Sequence, residues 1–429
     1  MQRFDYPALD ETAYRETLPN GLRLTVVPQK GFAKKLAYFA TDFGSIHTAF
    51  RLGGQEYTVP AGVAHYLEHK MFDLPGGRDV SAEFAALGAH SNAFTSYDMT
   101  AYYFSCTEHF EENLKLLLEF VSTPYFTQES VEKERGIIDQ EISMNEDSPD
   151  SALFELLAAG MYRVHPVRVP ILGTQETIRE ITPEILYLCH RAFYAPGNMT
   201  LCVLGDVDPE GVIALARQVL GDEKREVAEK LRDWQEDMTP AEPYVHANME
   251  VAMPTFTMAF KCESPGTGEE AIRQEMVADL AAEALFGESS DLYLKLYEEG
   301  LIDGSFGGGF ETVDGCALLT CGGDSRDAQA VAEAILARME ALRATGITEE
   351  SFERMKRSAQ GRRIKGLDSF DSTCFRLCSY CFSDFDYFRF PEVYSRIRKT
   401  DVEAFLNRAV TRQRLALCVI DPISKEETL

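Results

Sequence analysis

Positive charge is scarce in this sequence. Its 42 lysines and arginines face 69 aspartates and glutamates, a formal net charge of −27. Phosphate contacts need clustered Lys and Arg, so the deficit argues against a nucleic-acid partner or an anionic membrane surface. No run of eighteen or more apolar residues occurs, so no membrane span is expected. The opening stretch, MQRFDYPALDETAYRE, lacks a basic n-region and an apolar h-region, and shows no secretory signal. The ten cysteines are scattered rather than arrayed as a disulfide framework, which fits reduced thiols and a cytoplasmic location. What is present is an ordinary globular composition. With 45% hydrophobic residues a sizeable core can be buried, and 429 residues allow two or three domains of roughly 150 residues.

Segments of helical and strand period alternate, so the class is mixed α and β. Pro19-Asn20-Gly21 marks a turn, and Leu22, Leu24 and Val26 alternate after it as a strand. Residues 34–41 and 45–51 read as strands, 60–72 and 80–88 as helices, and 89–106 as a strand pair. Helices follow near 109–122, 128–146 and 174–195, with Thr127 as an N-cap and Glu129 in the first turn of the second. A short apolar strand, Leu201-Cys202-Val203-Leu204, comes next. Residues 221–248 are charged, with little strand signal, and read as a connection. The pattern then restarts. Strands are expected near 249–262, 304–311 and 315–322, helices at 267–299, 325–345, 349–385 and 399–409, and a closing strand at Leu417-Cys418-Val419-Ile420. Thr182 and Thr400 each open a helix that leads into a Leu-Cys-Val strand, a weak self-similarity that suggests two copies of one α/β unit. The expected boundaries are 1–222, a linker at 223–248, and 249–429.

Residues 65–69 read His65-Tyr66-Leu67-Glu68-His69, the pattern H-x-x-E-H. At about 100° per residue, positions 65 and 69 of a helix lie about 40° apart and one turn along, so both imidazoles can grip one ion. Glu68 lies on the same side, close enough to hold a water beside it. Zinc suits such a site, since imidazole and carboxylate are among its usual ligands, but a catalytic site needs a third protein ligand. The helix expected at 128–146 offers Glu132, Glu134, Asp139, Glu141 and Glu146, and periodicity does not choose among them. The acidic runs Glu132–Glu134 and Glu426–Glu427 otherwise read as solvated faces.

H-x-x-E-H followed some seventy residues later by E-x6-E resembles the pitrilysin/insulinase zinc peptidases, which include the mitochondrial processing peptidases. Leu18-Pro19-Asn20-Gly21-Leu22, Gly62-Val63-Ala64, Asn92-Ala93-Phe94-Thr95 with Tyr102-Tyr103, His165-Pro166 with Leu172-Gly173, and Gly205-Asp206-Val207 are similar to further family segments. The run Glu68-His69-Lys70-Met71-Phe72 is closest to a short bacterial branch. The resemblance spans most of the chain and is stronger in the first half. It implies an α+β fold of two similar α/β domains, each a mostly antiparallel sheet flanked by helices, together half of a four-domain clamshell. It implies zinc held by His65, His69 and Glu141, with Glu68 as general base and Glu134 supporting the site. It also implies that Asn92 and Ala93, on an edge strand, bind an extended peptide by strand addition.

One departure bears on assembly. The family carries an Arg and a Tyr in a second-half segment resembling L-R-E-x-x-G-L-A-Y-S. Here Tyr297 stands in place of the Arg and Asp303 in place of the Tyr. The resemblance therefore implies a dimer, either with a related subunit that supplies the Arg/Tyr pair or with a second copy of the chain. The competing function class is a non-catalytic scaffold. Other motifs are weaker. Cys374, Cys378 and Cys381 have the C-x3-C-x2-C spacing of a radical-enzyme iron–sulfur motif, but they fall within an expected apolar helix, where cysteine is commonly a small hydrophobe. Gly304–Gly309 lacks a phosphate-loop lysine and reads as a flexible strand entry. His47, His90, His109, His165, His190 and His246 lack ligand spacing and read as structural.

Overall fold

The structure, a computed structural model, describes residues 1–423, so the acidic pair Glu426–Glu427 lies outside the described residues. Two compact units form. One comprises Met1–Ile142, Pro170–Arg232 and Ile364–Arg389, and the other Ser143–Val169, Asp233–Arg363 and Phe390–Leu429.

The first unit is built on a seven-stranded sheet. Its order is Gln2–Tyr6, Glu11–Thr17, Arg23–Pro28, Met199–Gly205, Lys35–Thr41, Thr100–Cys106 and His90–Thr95. Arg23–Pro28 and Met199–Gly205 pair in parallel, and every other neighbour is antiparallel. Side-chain alternation sorts the strands onto two faces. Phe39, Leu201, Val203, Tyr102 and Phe104 join a core with Leu117 and Phe120 of the helix Phe110–Ser122. The opposite face carries Tyr38, stacked on Tyr103 with ring centroids 4.4 Å apart, and is covered by the helix Phe370–Phe382. Burial on both faces explains why Leu201-Cys202-Val203-Leu204 reads as an unbroken apolar run.

The second unit repeats this plan with five strands. Their order is Tyr244–Met249, Leu415–Pro422, Thr255–Cys262, Cys316–Asp324 and Gly307–Val313. Again one pair is parallel, Tyr244–Met249 with Leu415–Pro422. The two Leu-Cys-Val segments, Leu201–Val203 and Leu417–Val419, thus occupy the same place in their sheets, beside the single parallel neighbour.

Several expected elements move. A strand, Tyr244–Met249, stands inside the expected linker at 223–248, as does the short strand Glu229–Lys230. Tyr244–Met249 is nowhere fully buried, so its apolar signal is weak and pairing alone makes it a strand. Thr182 caps its helix as expected, with its hydroxyl accepting the Ile185 N–H. The helix that Thr400 opens spans its expected range, Lys399–Ala409, with Arg398 at its N-cap. The charged connection also contributes a fixed hub. Glu236 Oε1 accepts the N–H groups of Arg163, Val164 and His165 at 2.8, 2.6 and 2.9 Å. Its Oε2 pairs with buried Lys261 at 2.9 Å. No helix among the described residues is long and apolar enough to cross a membrane.

Candidate metal centre

The H-x-x-E-H residues lie in the first unit on the helix Val63–Lys70, where every residue but His69 is buried. A helix buried on nearly all sides must give its polar groups partners. It starts at Gly62, whose φ is +87°. A Cβ there would lie 2.4 Å from the Leu172 carbonyl oxygen, so the close approach of this loop admits only glycine. The Tyr66 hydroxyl donates to the Val131 carbonyl, fastening this helix to a second one, Gln128–Glu146.

The two helices bring together His65, His69 and Glu141, whose donor atoms all lie within 4.8 Å of one another. Nε2 of His65 stands 3.6 Å from Oε1 of Glu141, and Nε2 of His69 stands 3.5 Å from its Oε2. A tetrahedral ion with bonds of about 2.0–2.1 Å places its ligand atoms roughly 3.4 Å apart, so the donor set fits zinc with one position open. Among the described residues, the buried Nδ1 of His65 has no hydrogen-bond partner.

Glu134 lies about two turns before Glu141 on the same helix and does something else. Its Oε1 lies 3.0 Å from Nδ1 of His69, the nitrogen turned away from Glu141. Its Oε2 faces Lys70 at 3.9 Å. Lys70 is only 1% exposed; it also pairs with Asp73 and lies 3.3 Å from the Ser130 carbonyl. The hydrogen bond with His69 holds the Glu134 carboxyl below its usual range, and the proximity of the His65 ring, followed by that of His69, does the same for Glu141. Burial opposes a proton on His69, but the bond to Glu134 and the nearby Glu68 and Glu141 charges prevail and raise its pKa. Glu68 is pushed up by burial, against a hydrogen bond of 2.6 Å from the Thr95 hydroxyl. The other acidic residues of the second helix do not converge on this cluster. Glu132 is exposed and accepts from Gln128 at 2.7 Å, while Glu146 is exposed. The run Glu132–Glu134 is therefore solvated only in part, since the Glu134 side chain is 16% exposed.

Asn92 and Ala93 lie on His90–Thr95, the edge strand of the seven-stranded sheet, paired on one side only with Thr100–Cys106. The Ala93 N–H donates to the Asn92 side-chain oxygen at 2.9 Å. Thr95 and Lys70 went unnoticed as site residues in the sequence. Neither has a spacing signal, because Thr95 meets Glu68, and Lys70 meets Glu134, only through tertiary contacts.

Tyr297 and Asp303 belong to the second unit. Tyr297 is 55% exposed and stacks on Tyr293, while Asp303 holds a turn by accepting the N–H and hydroxyl of Ser305 at 2.8 and 2.6 Å. The cysteines of the C-x3-C-x2-C spacing lie along the helix Phe370–Phe382, with Cys374 and Cys378 fully buried. Among the described residues the His65, His69 and Glu141 group is the one His, Cys, Asp or Glu cluster arranged to hold a metal. Gly308 belongs to the edge strand Gly307–Val313, where a Cβ would lie 2.2 Å from the Thr320 carbonyl. The remaining histidines have structural partners where buried: His47 accepts from Gly44 N–H, His165 bonds the Asp314 carbonyl, and His190 the Val121 carbonyl.

The family model described as insulinase (peptidase family M16) matches residues 54–175, and that described as the peptidase M16 inactive domain matches residues 180–359. An uncharacterized zinc protease of Bacillus subtilis, YmfH, is 39% identical over 432 residues, covering 99% of this chain and all of the relative. The crystal structure of an M16-like peptidase from Alicyclobacillus acidocaldarius superposes with a TM-score of 0.92 at 33% identity, covering 98% of this chain and 100% of the other. Pitrilysin has the same fold at 16% identity, with a TM-score of 0.78 over 98% of this chain and 46% of its own. With both family models matched in order and a relative similar along its full length, the chain belongs to peptidase family M16, the insulinase family.

Proposed function

We propose that this chain is a zinc endopeptidase that hydrolyses small or unfolded peptides in the cytoplasm. The observation that carries the reading is the convergence of two imidazoles and one carboxylate on a single point, with the Glu68 carboxylate on the same helix. His65, His69 and Glu141 would hold the ion. Bound there, zinc supplies Lewis-acid chemistry, polarising a peptide carbonyl and making water more acidic. Glu68 accepts the proton of the attacking water and passes it to the leaving amine. Burial favours this role, because a carboxylate with a raised pKa is a stronger base. Glu134 orients the His69 ring through Nδ1, which leaves Nε2 toward Glu141, where it would hold the ion. Asn92 and Ala93 present a free strand edge to which an extended peptide adds by main-chain hydrogen bonds.

The reading includes a dimeric chamber of which this chain is half. The partner is a related subunit that supplies the Arg/Tyr pair missing at Tyr297 and Asp303, or a second copy. A non-catalytic scaffold would have no need of the complete donor set. The deciding variant is Glu68→Gln. It is expected to keep stoichiometric zinc and to lose cleavage by more than about a hundredfold. Cleavage at the wild-type rate, or loss of zinc, would contradict the assignment.

A further inference from the structure

We propose that Thr95 is a positioning residue for Glu68, tying the strand that takes the peptide to the carboxylate that moves the proton. The inference rests on the peptidase reading above. Thr95 is the last residue of the edge strand His90–Thr95, two positions from Ala93 and three from Asn92. Its hydroxyl donates to Oε2 of Glu68 at 2.6 Å, within the range of short charge-assisted bonds. Among the described residues no other hydrogen bond reaches this carboxylate. Oε2 is therefore engaged, while Oε1 remains available to accept a proton.

The hydroxyl is itself held in place. Thr95 faces Thr100 across the strand pair, and their hydroxyl oxygens are 3.4 Å apart. Thr100 is fully buried and donates to the Phe43 carbonyl at 2.8 Å. Its hydrogen being spent there, Thr100 does not compete for Glu68. A β-branched side chain in a strand has few rotamers, so the direction of the Thr95 hydroxyl follows the strand. A peptide that pairs with the free edge orders this strand and with it the hydroxyl that aims the carboxylate. Occupancy of the edge and alignment of the base are then one event, and the coupling acts on turnover rather than on binding.

The test uses the full-length, zinc-loaded protein, a quenched fluorescent peptide of about ten residues, and the variants Thr95→Val, which keeps shape, and Thr95→Ser, which keeps the hydroxyl. Thr95→Val is expected to lower kcat about 10- to 100-fold with KM changed less than about twofold, since misplacing a catalytic group acts on the transition state. Thr95→Ser is expected to restore most of the rate, and zinc content is expected to equal that of the wild type in both. A second readout needs no activity. In zinc-free protein, melting of Thr95→Val, Glu68→Ala and the double variant is expected to be non-additive, because both single changes remove the same bond. Wild-type kcat in Thr95→Val, failure of Thr95→Ser to recover, or additive melting would overturn the inference alone. A wild-type protein that binds zinc and cleaves no peptide would overturn the peptidase reading and this role with it.

Discussion

Glu134 and Glu141 are the same residue type, seven positions apart on one helix, and they meet different chemistry. Glu141 faces both Nε2 atoms, whereas Glu134 bonds the far side of His69. Glu141→Ala is therefore expected to purify without stoichiometric zinc. Glu134→Ala is expected to keep the site and lose about 10- to 100-fold in affinity, the usual cost of removing an outer partner; competitive chelator titration measures both. The spacing of His65 and His69 was legible because helix geometry is local. The choice of glutamate was not, because it depends on how two helices dock. His190 shows burial acting on a single group. It is 3% exposed, donates to the Val121 carbonyl at 3.0 Å, and burial pushes its pKa down from 6.5 to about 4. The unfolded chain then binds the proton more readily than the folded one. The resulting stability is full above about pH 6.5 and is lost progressively as the pH falls toward 4, by on the order of 3 kcal/mol. His190→Gln, which keeps a donor, is expected to flatten the pH dependence of urea unfolding across that window.

At the scale of elements, the site depends on how a helix begins. Gly62 combines a left-handed backbone with an approach that leaves no space for a methyl group. Gly62→Ala is expected to cost about 2 kcal/mol or more and to weaken zinc binding, because the strain is relieved by shifting the helix that carries both histidines. Thermal melting and zinc titration on the same preparation check it; unchanged values in both would show that the loop yields instead. The helices were mostly legible, since Gln128–Glu146 matches its expected range and Phe110–Ser122 begins one residue late. Strand Tyr244–Met249 was not, because its pattern is half exposed and its partner lies about 170 residues away. The covering helices are exchanged in sequence. Pro149–Met161, from the first half of the chain, packs on strands Leu415–Pro422 and Thr255–Cys262 of the second unit. Phe370–Phe382, from the second half, packs on the corresponding strands of the first. An apolar helix face advertises that it needs a sheet, but not which of two similar sheets it will find.

For the molecule as a whole, the five-stranded sheet repeats the order of five strands of the seven-stranded one, with one parallel pair in each, yet among the described residues only the first unit carries a group of side chains that could hold a metal. The proposed dimer makes a direct prediction. Purified alone, the chain is expected to show weak cleavage that a co-expressed related subunit, or its own dimerisation, raises at least about tenfold. Full activity in a monomer by light scattering and peptide assay would sink the proposal, and co-purification from the native host followed by mass spectrometry would identify the partner. The sequence by itself determined the mixed α and β class, most helices, and a histidine pair one helical turn apart, since each follows from periodicity or from local geometry. Only the tertiary structure decided that Glu141 completes the donor set, that Glu134 and Lys70 stand behind His69, that Thr95 meets Glu68, and that each half of the chain lends a helix to the other half's sheet. Those outcomes depend on contacts between residues far apart in the chain, and sequence spacing carries no record of which distant surfaces will pack.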